Sequence, residues 1–127
     1  MKFLVLGCNG MAGHMISLYF NEQGYEVDGF ARSESKYVNT IVGDVRDTEF
    51  LRATVKNGNY RAVINGIGLL NKFAENDHEA AVYLNSYLPQ FLAKVTENTD
   101  TQIIHLSTDC VFSGSKGGYV ESDFPDG

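Results

Sequence analysis

The residues best suited to chemistry in this sequence come directly after short apolar runs. Ser107, Thr108 and Asp109 follow the run TQIIHL, so three small polar groups stand at the end of a predicted strand. A hydroxyl at such a point can hydrogen-bond a substrate carbonyl, although small polar groups also serve simply to turn a chain toward solvent. The choice between these two interpretations depends on what the rest of the sequence places nearby.

A glycine triplet, in the stretch GCNGMAG at residues 7–13, forms a second pattern of functional type. Gly7 permits a tight turn, Gly10 allows the backbone to approach a pyrophosphate, and Gly13 allows a helix to pack closely on a strand. The amide groups at the start of the next helix, near Met11, would then face phosphate oxygens. Glycines also close ordinary turns, but the position of this triplet between a strand and an amphipathic helix predicts a dinucleotide site.

The end of the second predicted strand bears on the choice between NAD and NADP. NAD sites usually carry an acid about 20 residues after the glycines, which binds the ribose 2′-hydroxyl. At that point the sequence has Arg32 and Ser33, whereas Asp28 comes too early. Arg32 can bind a 2′-phosphate, with Ser33 and Lys36 assisting, which predicts NADP with NAD as the alternative. It can also be a solvated arginine in a loop.

Two further strand ends carry groups suited to a nucleotide. Asp44 can accept a hydrogen bond from an adenine amino group while the Val45 backbone pairs with the ring, or it can be a turn residue. Asn65, Gly66 and Gly68 end the fourth strand, where glycines let the chain pass close to a ribose. Four of the five predicted strand ends are unusually rich in small polar or glycine residues, namely GCNGMAG, ARSES, NGIG and STD. We therefore expect them to share one pocket.

The elements that must position these groups alternate between strand and helix. Apolar β-rich runs predict strands at residues 2–6, 25–30, 39–43, 61–66 and 101–107. Such alternation implies right-handed crossovers and a parallel sheet with helices on both faces, whose ligands bind beyond the carboxyl ends of the strands. The predicted fold class is therefore α/β, a Rossmann-type doubly wound parallel sheet of about five strands.

Three helices are predicted between the strands. The first begins at Met11 and ends near Gly24, the second extends from Thr48 as N-cap through Lys56, and the longest follows Asp77 as a cap. Pro89 lies in the middle of the longest helix and should bend it. The apolar stripes predicted are Met15, Leu18 and Tyr19 in the first helix, Phe50 or Leu51 with Val55 in the second, and Ala81, Leu84, Leu88, Phe91 or Leu92, and Val95 in the longest.

Composition limits the function classes. A chain of 127 residues predicts one domain, and a net charge of −6 argues against nucleic-acid binding. No segment has the length of a signal peptide or a membrane span, so a cytoplasmic protein with no membrane partner is expected. The two cysteines and three histidines show no metal-ligand spacing, and no metal site is predicted.

Several motifs together resemble the extended short-chain dehydrogenases/reductases, and most of all the branch of dTDP-4-dehydrorhamnose reductases. The motifs are GCNGMAG, GDVRD at 43–47, NGIG at 65–68, LN at 84–85 and LSTDCVFSGSKGGYVESD at 106–123. The resemblance covers essentially the whole chain, and S-T-D-x-V-F-x-G is its most specific part. It implies an NAD(P)H-dependent oxidoreductase of dTDP-rhamnose biosynthesis that reduces the keto group of a nucleotide sugar, and it allows a homodimer.

The resemblance also implies roles for individual residues. Thr108 would be the catalytic hydroxyl, acting with the Tyr and Lys of a Y-x-x-x-K helix. Including the neighbouring residues of each motif, the cofactor contacts expected are Gly7, Asn9, Gly10, Met11, Gly13, Arg32, Ser33, Asp44, Val45, Asn65, Gly66, Gly68 and Ser107.

Two positions depart from the family pattern. Cys110 stands where the family more often has Tyr, and no Y-x-x-x-K follows Thr108, since Tyr119 has Asp123 four residues on. Residues 1–127 are therefore expected to be the N-terminal portion of an NAD(P)-binding Rossmann domain, truncated before the catalytic Tyr and the C-terminal substrate domain, and inactive alone. A nucleotide-sugar epimerase of the same family and a non-catalytic dinucleotide-binding regulatory module remain as alternatives.

Overall fold

A computed structural model of the chain describes the backbone of residues 1–127 and all side chains except those of residues 71 and 109. Its strands are β1 (Lys2–Leu6), β2 (Glu26–Ala31), β3 (Asn39–Val42), β4 (Ala62–Asn65) and β5 (Gln102–His105). Its α-helices are α1 (Met11–Glu22), α2 (Thr48–Asn57), α3 (Asn71–Asn76), α4 (His78–Val82) and α5 (Leu88–Thr96). A π-helical turn, Tyr83–Tyr87, joins α4 to α5 and is called the π-turn below, and a 3₁₀ turn follows at Asp109–Val111.

The five strands form one parallel sheet in the order β3-β2-β1-β4-β5. The first strand lies at its centre, because the chain builds outward through β2 and β3 and then crosses back to add β4 and β5 on the other side. The carboxyl ends of β1 and β4 meet where the direction of building reverses, which is the usual ligand position in such sheets. The predicted Rossmann-type fold is confirmed.

Apolar side chains cover both faces of the sheet. On β1, Leu4 and Leu6 belong to the core on one face, while Val5 belongs to the core on the other, as strand alternation requires. The first core holds the buried residues of α2 and α5: Leu51, Val55, Leu88, Phe91, Leu92 and Val95. Leu51, not Phe50, is therefore the inner residue of α2, and Phe50 remains 41% exposed.

The apolar stripe predicted for α1 is not the face that packs on the sheet, and of its three residues only Leu18 is half-buried. Met15 and Tyr19 are each 57% exposed, whereas Gly13 and Ser17 are buried, and Ile16 and Phe20 pack on the core. The cause lies at Gly13, which packs directly against the backbone of residues 7 and 8 and so turns its own side of the helix toward the sheet. Small residues, which carry little weight in a hydrophobic pattern, thus define the packed face.

Helix boundaries also differ from the prediction in two places. The N-cap of α2 is Asp47, not Thr48, because the Asp47 carboxylate accepts a hydrogen bond from the Phe50 amide at 3.0 Å. Asp77 does cap the longest helical segment, accepting from the Ala80 amide at 2.9 Å. That segment is not a continuous α-helix, since the π-turn interrupts it just before Pro89, and the short helix α3 precedes it without having been predicted.

A buried carboxylate lies toward the amino ends of the strands. Asp28, 7% exposed, receives the Lys2 ammonium at 2.9 Å, the Asn39 amide at 2.8 Å and the Tyr60 hydroxyl at 2.8 Å. Burial alone would raise the pKa of Asp28, but the hydrogen bonds from Lys2, Asn39 and Tyr60 outweigh it and lower that pKa. Burial and the bond to Asp28 in turn raise the pKa of Tyr60. The amino end of the sheet is thus closed by a satisfied polar network.

Within the part of the chain that the structure describes, no helix is both long enough and apolar enough to cross a membrane.

Candidate functional site

The glycine stretch forms a tight loop between β1 and α1. Gly7 has a φ of +76°, which L side chains rarely adopt, and its amide donates to the Phe30 carbonyl at 2.9 Å. A Cβ at residue 13 would overlap the carbonyl oxygen of Gly7, so only glycine lets α1 begin this close to the strand. Because the N-cap, Gly10, has no side chain, it leaves the first amides of α1 open to a ligand.

Asn9 connects the glycine loop to the segment after β2. Its Nδ2 donates to the Ser33 carbonyl at 3.0 Å, with the Ser33 hydroxyl and the Glu34 carbonyl each at 3.4 Å. The Asn9 side chain therefore joins the segment after β1 to the segment after β2. A dinucleotide would have to contact both of these segments.

A cavity of about 520 Å³ opens at the carboxyl ends of β1, β2, β3 and β4. Of the predicted site residues, those on its lining are Gly7, Asn9, Gly10, Arg32, Ser33, Asp44, Val45 and Gly68. Met11, Gly13, Asn65, Gly66, Ser107 and Thr108 lie outside that lining. The lining residues that sequence reasoning missed are Phe30, Ala31, Gly43, Arg46, Ile67, Leu69, Asp77, Ala80 and Leu84.

Some of the charged side chains of the cavity already have hydrogen-bond partners within the protein, and others do not form ion pairs. Asp44 accepts from the Arg46 amide at 2.9 Å, and Asp77 caps α4. Arg32 and Arg46 are exposed, and neither takes part in a salt bridge among the side chains that the structure describes. Two guanidinium groups can therefore meet an anionic ligand without first breaking an ion pair.

Asn65 does not belong to the lining of the cavity. The side chain is fully buried, with Nδ2 3.1 Å from His105 Nδ1 and Oδ1 accepting from the Ile67 amide at 3.1 Å. These bonds join β4 to β5 and turn the chain after β4. A contact between Asn65 and a cofactor stays a prediction.

Thr108 and Ser107 are exposed beyond the end of β5. The Thr108 hydroxyl oxygen accepts a hydrogen bond from the Cys110 amide at 3.1 Å, and so holds the start of the 3₁₀ turn. A hydroxyl that accepts one bond still has its hydrogen to donate. The turn role and a ligand role are therefore compatible at this residue.

Tyr119 belongs to a local network in the segment after the 3₁₀ turn. Its ring stacks on Phe112 with 4.5 Å between centroids, and its hydroxyl lies 3.2 Å from both Ser113 Oγ and the carboxylate of Asp126. Hydrogen bonding with Ser113 and Ser115 lowers the pKa of Tyr119. Asp123, four residues on, instead pairs with Lys116, so the structure gives Tyr119 no Lys partner in a Y-x-x-x-K arrangement.

Comparison with known proteins decides the family. The sequence matches the family described as "RmlD substrate binding domain" over residues 1–126. The chain belongs to the RmlD family. The resemblance to dTDP-4-dehydrorhamnose reductases, predicted from the motifs, is thereby confirmed.

Two curated proteins are similar to this RmlD-family chain over nearly its whole length. It is 32% identical over 98% of its length to a "probable low-salt glycan biosynthesis reductase" from Haloferax volcanii. It is 31% identical over 97% of its length to a dTDP-4-dehydrorhamnose reductase from Burkholderia thailandensis. The chain spans 43% and 39% of the lengths of these relatives.

A solved structure extends the agreement to three dimensions. A hypothetical dTDP-4-dehydrorhamnose reductase from Sulfolobus tokodaii superposes with a TM-score of 0.85 at 27% identity, over 99% of this chain and 46% of that one. The RmlD-family chain therefore has the fold of the corresponding part of that protein.

Proposed function

We propose that residues 1–127 are the NAD(P)H-binding portion of a reductase that acts on a nucleotide-linked keto-sugar. The observation that carries the proposal is a cavity at the carboxyl ends of four strands, whose lining includes eight of the predicted cofactor residues. Family membership and the reductase names of the relatives support the reaction class. In this proposal the protein is cytoplasmic, and its proton donor and C-terminal substrate domain lie beyond residue 127.

The residues present fit a dinucleotide phosphate. Because Gly13 has no Cβ, the amino end of α1 can lie directly against the glycine loop. The amides at this end of the helix can then bind a pyrophosphate. Arg32 and Ser33 on the same lining suit a 2′-phosphate. Asp44, after β3, retains an oxygen for an adenine amino group beside the one that accepts from Arg46.

Thr108 would act on the substrate. Its hydroxyl hydrogen can be donated to the keto oxygen, which polarises the carbonyl and favours the negative charge that develops on that oxygen. A nicotinamide cofactor held by the glycine loop and Arg32 would supply the hydride that reduces the carbonyl carbon. The keto oxygen then takes up a proton, for which we propose a Tyr beyond residue 127 with a pKa lowered by a neighbouring Lys.

The test is turnover by the full-length protein. Purified enzyme should oxidise NADPH or NADH when given dTDP-4-dehydrorhamnose, and Thr108→Ala should lower kcat by about 10²–10³ while the Kd for the cofactor stays unchanged. Thr108→Ser, which keeps the hydroxyl, is the matched control and should retain most of the activity. Cofactor binding without turnover of any nucleotide keto-sugar would instead identify a non-catalytic module, and substrate conversion without net cofactor oxidation would identify an epimerase.

A further inference from the structure

The 3₁₀ turn Asp109–Val111 comes directly after Thr108 and is held at both of its ends. At its start, the Cys110 amide donates to the Thr108 hydroxyl oxygen at 3.1 Å. At its end, the Val111 carbonyl accepts from the Gly127 amide at 2.9 Å. The chain thus returns to the turn at residue 127, and residues 112–126 form a loop that is closed at its base, called the closed loop below.

Asp126 joins the two ends of the closed loop. Its Oδ1 accepts from the Ser113 amide at 2.8 Å, and its Oδ2 accepts from the Ser113 hydroxyl at 3.0 Å. The Tyr119 hydroxyl donates to the same Oδ2 at 3.2 Å. Hydrogen bonding with Ser113 lowers the pKa of Asp126, so the carboxylate is ionised at neutral pH. Bonds to a charged acceptor are stronger than neutral ones, and this carboxylate is therefore a firm closure for the base of the loop.

The tip of the closed loop has a carboxylate of its own. Asp123 pairs with Lys116 and accepts from the Val120 amide at 2.9 Å. Both of these partners lie at the tip, away from the 3₁₀ turn in the chain. The loop therefore offers two carboxylates with similar bonding, of which Asp126 supports the base and Asp123 supports the tip.

The direction of the Thr108 hydroxyl depends on the turn that follows it. Thr108 is exposed, so packing contributes little to fixing its rotamer, and the bond from the Cys110 amide is what holds its oxygen. That amide belongs to the turn, and the far end of the turn is held by the closed loop. A reacting group displaced by about 1 Å can lose about 10² in rate, so the support of this turn bears on catalysis.

We propose that the closed loop holds Thr108 in the orientation that the reduction requires, and that Asp126 is a positioning residue that acts through Ser113 and the 3₁₀ turn. The proposal rests on the proposed function, because it requires that Thr108 act on the keto group. Ser113, Tyr119 and Asp126 lie outside the lining of the cavity. Their effect should therefore fall on the rate of the reaction and not on the binding of the cofactor.

The experiment measures kcat with dTDP-4-dehydrorhamnose and the Kd for NADPH on the full-length protein. Asp126→Ala should lower kcat by about tenfold, because the base of the loop opens, and should leave the Kd for NADPH unchanged. Asp126→Asn keeps one acceptor oxygen and should lower kcat by only about threefold. Asp123→Ala, which removes the carboxylate at the tip, is the matched control and should change neither quantity.

A double-mutant cycle distinguishes positioning of Thr108 from general support of the fold. If Asp126 acts through Thr108, Asp126→Ala should lower kcat little further in a protein that already carries Thr108→Ala. Losses that multiply in the double variant would overturn the proposal. So would an unchanged kcat for Asp126→Ala, or an equal loss for Asp123→Ala. If Asp126→Ala does not fold, Ser113→Ala, which removes one hydroxyl, takes its place in the same cycle, and an unchanged kcat for it would refute the role of the loop.

Failure of the proposed function would give a different result. A wild-type protein that converts no nucleotide keto-sugar, or a Thr108→Ala variant with unchanged kcat, would refute the role of Thr108 and this inference with it. Normal turnover that depends on Thr108 but not on Asp126 would refute the inference alone.

Discussion

Polar side chains at the two ends of the parallel sheet differ in burial and in hydrogen bonding. At the amino end, Asp28 is buried and receives hydrogen bonds from three partners in neighbouring segments. At the carboxyl end, Arg32 is exposed beside a cavity, and Asp44, also exposed, accepts a hydrogen bond from the Arg46 amide of its own turn. The first arrangement satisfies charge within the protein, whereas the second leaves charge available to something outside it.

This difference separates stability from binding within one sheet. A buried carboxylate with paired donors contributes to the folded state and gives a ligand nothing to contact. Exposed guanidinium groups contribute little to stability but can form charge-assisted bonds to a phosphate. Substitutions at the amino end should therefore lower stability and substitutions at the carboxyl end should weaken binding, and four experiments on the full-length protein can test this.

The largest effect is expected at the amino end. Asp28→Ala should lower the free energy of unfolding by about 3 kcal/mol, because it leaves the Tyr60 hydroxyl and the Asn39 amide without their acceptor. Lys2 also loses the nearer of its two carboxylates and keeps Glu26, at 3.4 Å. Asp44→Ala, the matched change at the carboxyl end, should cost about 1 kcal/mol or less, since it removes one exposed turn bond. Urea denaturation at pH 7 gives both values, and equal losses would contradict the distinction between the two ends.

The pH dependence of that loss provides a further check. The folded-state pKa of Asp28 is lowered from its ordinary value of 3.8, so its contribution is present above that value and disappears as pH falls through the folded-state pKa. The difference between wild type and Asp28→Ala should therefore shrink as the pH falls below 3.8 toward the folded-state pKa. A difference that stays constant from pH 7 down to the acid unfolding of the wild type would mean that packing, not charge, accounts for the loss.

A smaller effect is expected where stability and binding meet, at the glycine loop. Gly13→Ala should lower the free energy of unfolding by about 2 kcal/mol, because the new Cβ meets backbone that cannot move aside. Gly10→Ala is the control, since a Cβ there would lie 3.2 Å from the Gly7 carbonyl and needs only a slight adjustment. Thermal unfolding compares the two variants. A Gly10 variant as unstable as the Gly13 variant would show that close helix packing is not the cause.

The smallest effect concerns binding alone. Arg32→Ala should weaken the binding of NADPH by about 1.5 kcal/mol, or roughly tenfold in Kd. The binding of NADH should be nearly unchanged, because NADH has no 2′-phosphate for the guanidinium to bind. Arg61→Ala, an exposed arginine next to the amino end of β4, should change neither. Calorimetric titration of both cofactors measures the difference. Equal losses for NADPH and NADH would mean that Arg32 contacts a part common to both.

Much of the fold follows from local pattern. The apolar run at β1 predicts a strand with the observed bounds, Lys2–Leu6, and the alternation of strands with helices predicts the parallel sheet because crossovers have one hand. The same reasoning brings Gly7, Arg32 and Asp44 to one cavity, since the carboxyl ends of parallel strands share an edge. The sequence could therefore predict that these strand ends line one cavity.

Features that depend on contacts between distant residues could not be predicted. Periodicity alone assigns Met15 to the packed face of α1, but the close approach at Gly13 decides which side of the helix meets the sheet. An apolar stripe through residues 81–95 has nearly the same spacing with or without the π-turn, so Pro89 indicates a bend without indicating its form.

The central position of β1 also has a consequence for how the protein is made. The strand synthesised first lies in the middle of the finished sheet, with Lys2 pairing with Glu26 on one side and Phe3 pairing with Ala62 on the other. At about 5–20 residues per second, the ribosome delivers β4 roughly 3–12 s after β1. During that interval one edge of an apolar strand has no partner in its own chain and can pair with a neighbouring one. The time for which the nascent chain is prone to aggregate is therefore set by the order of its strands.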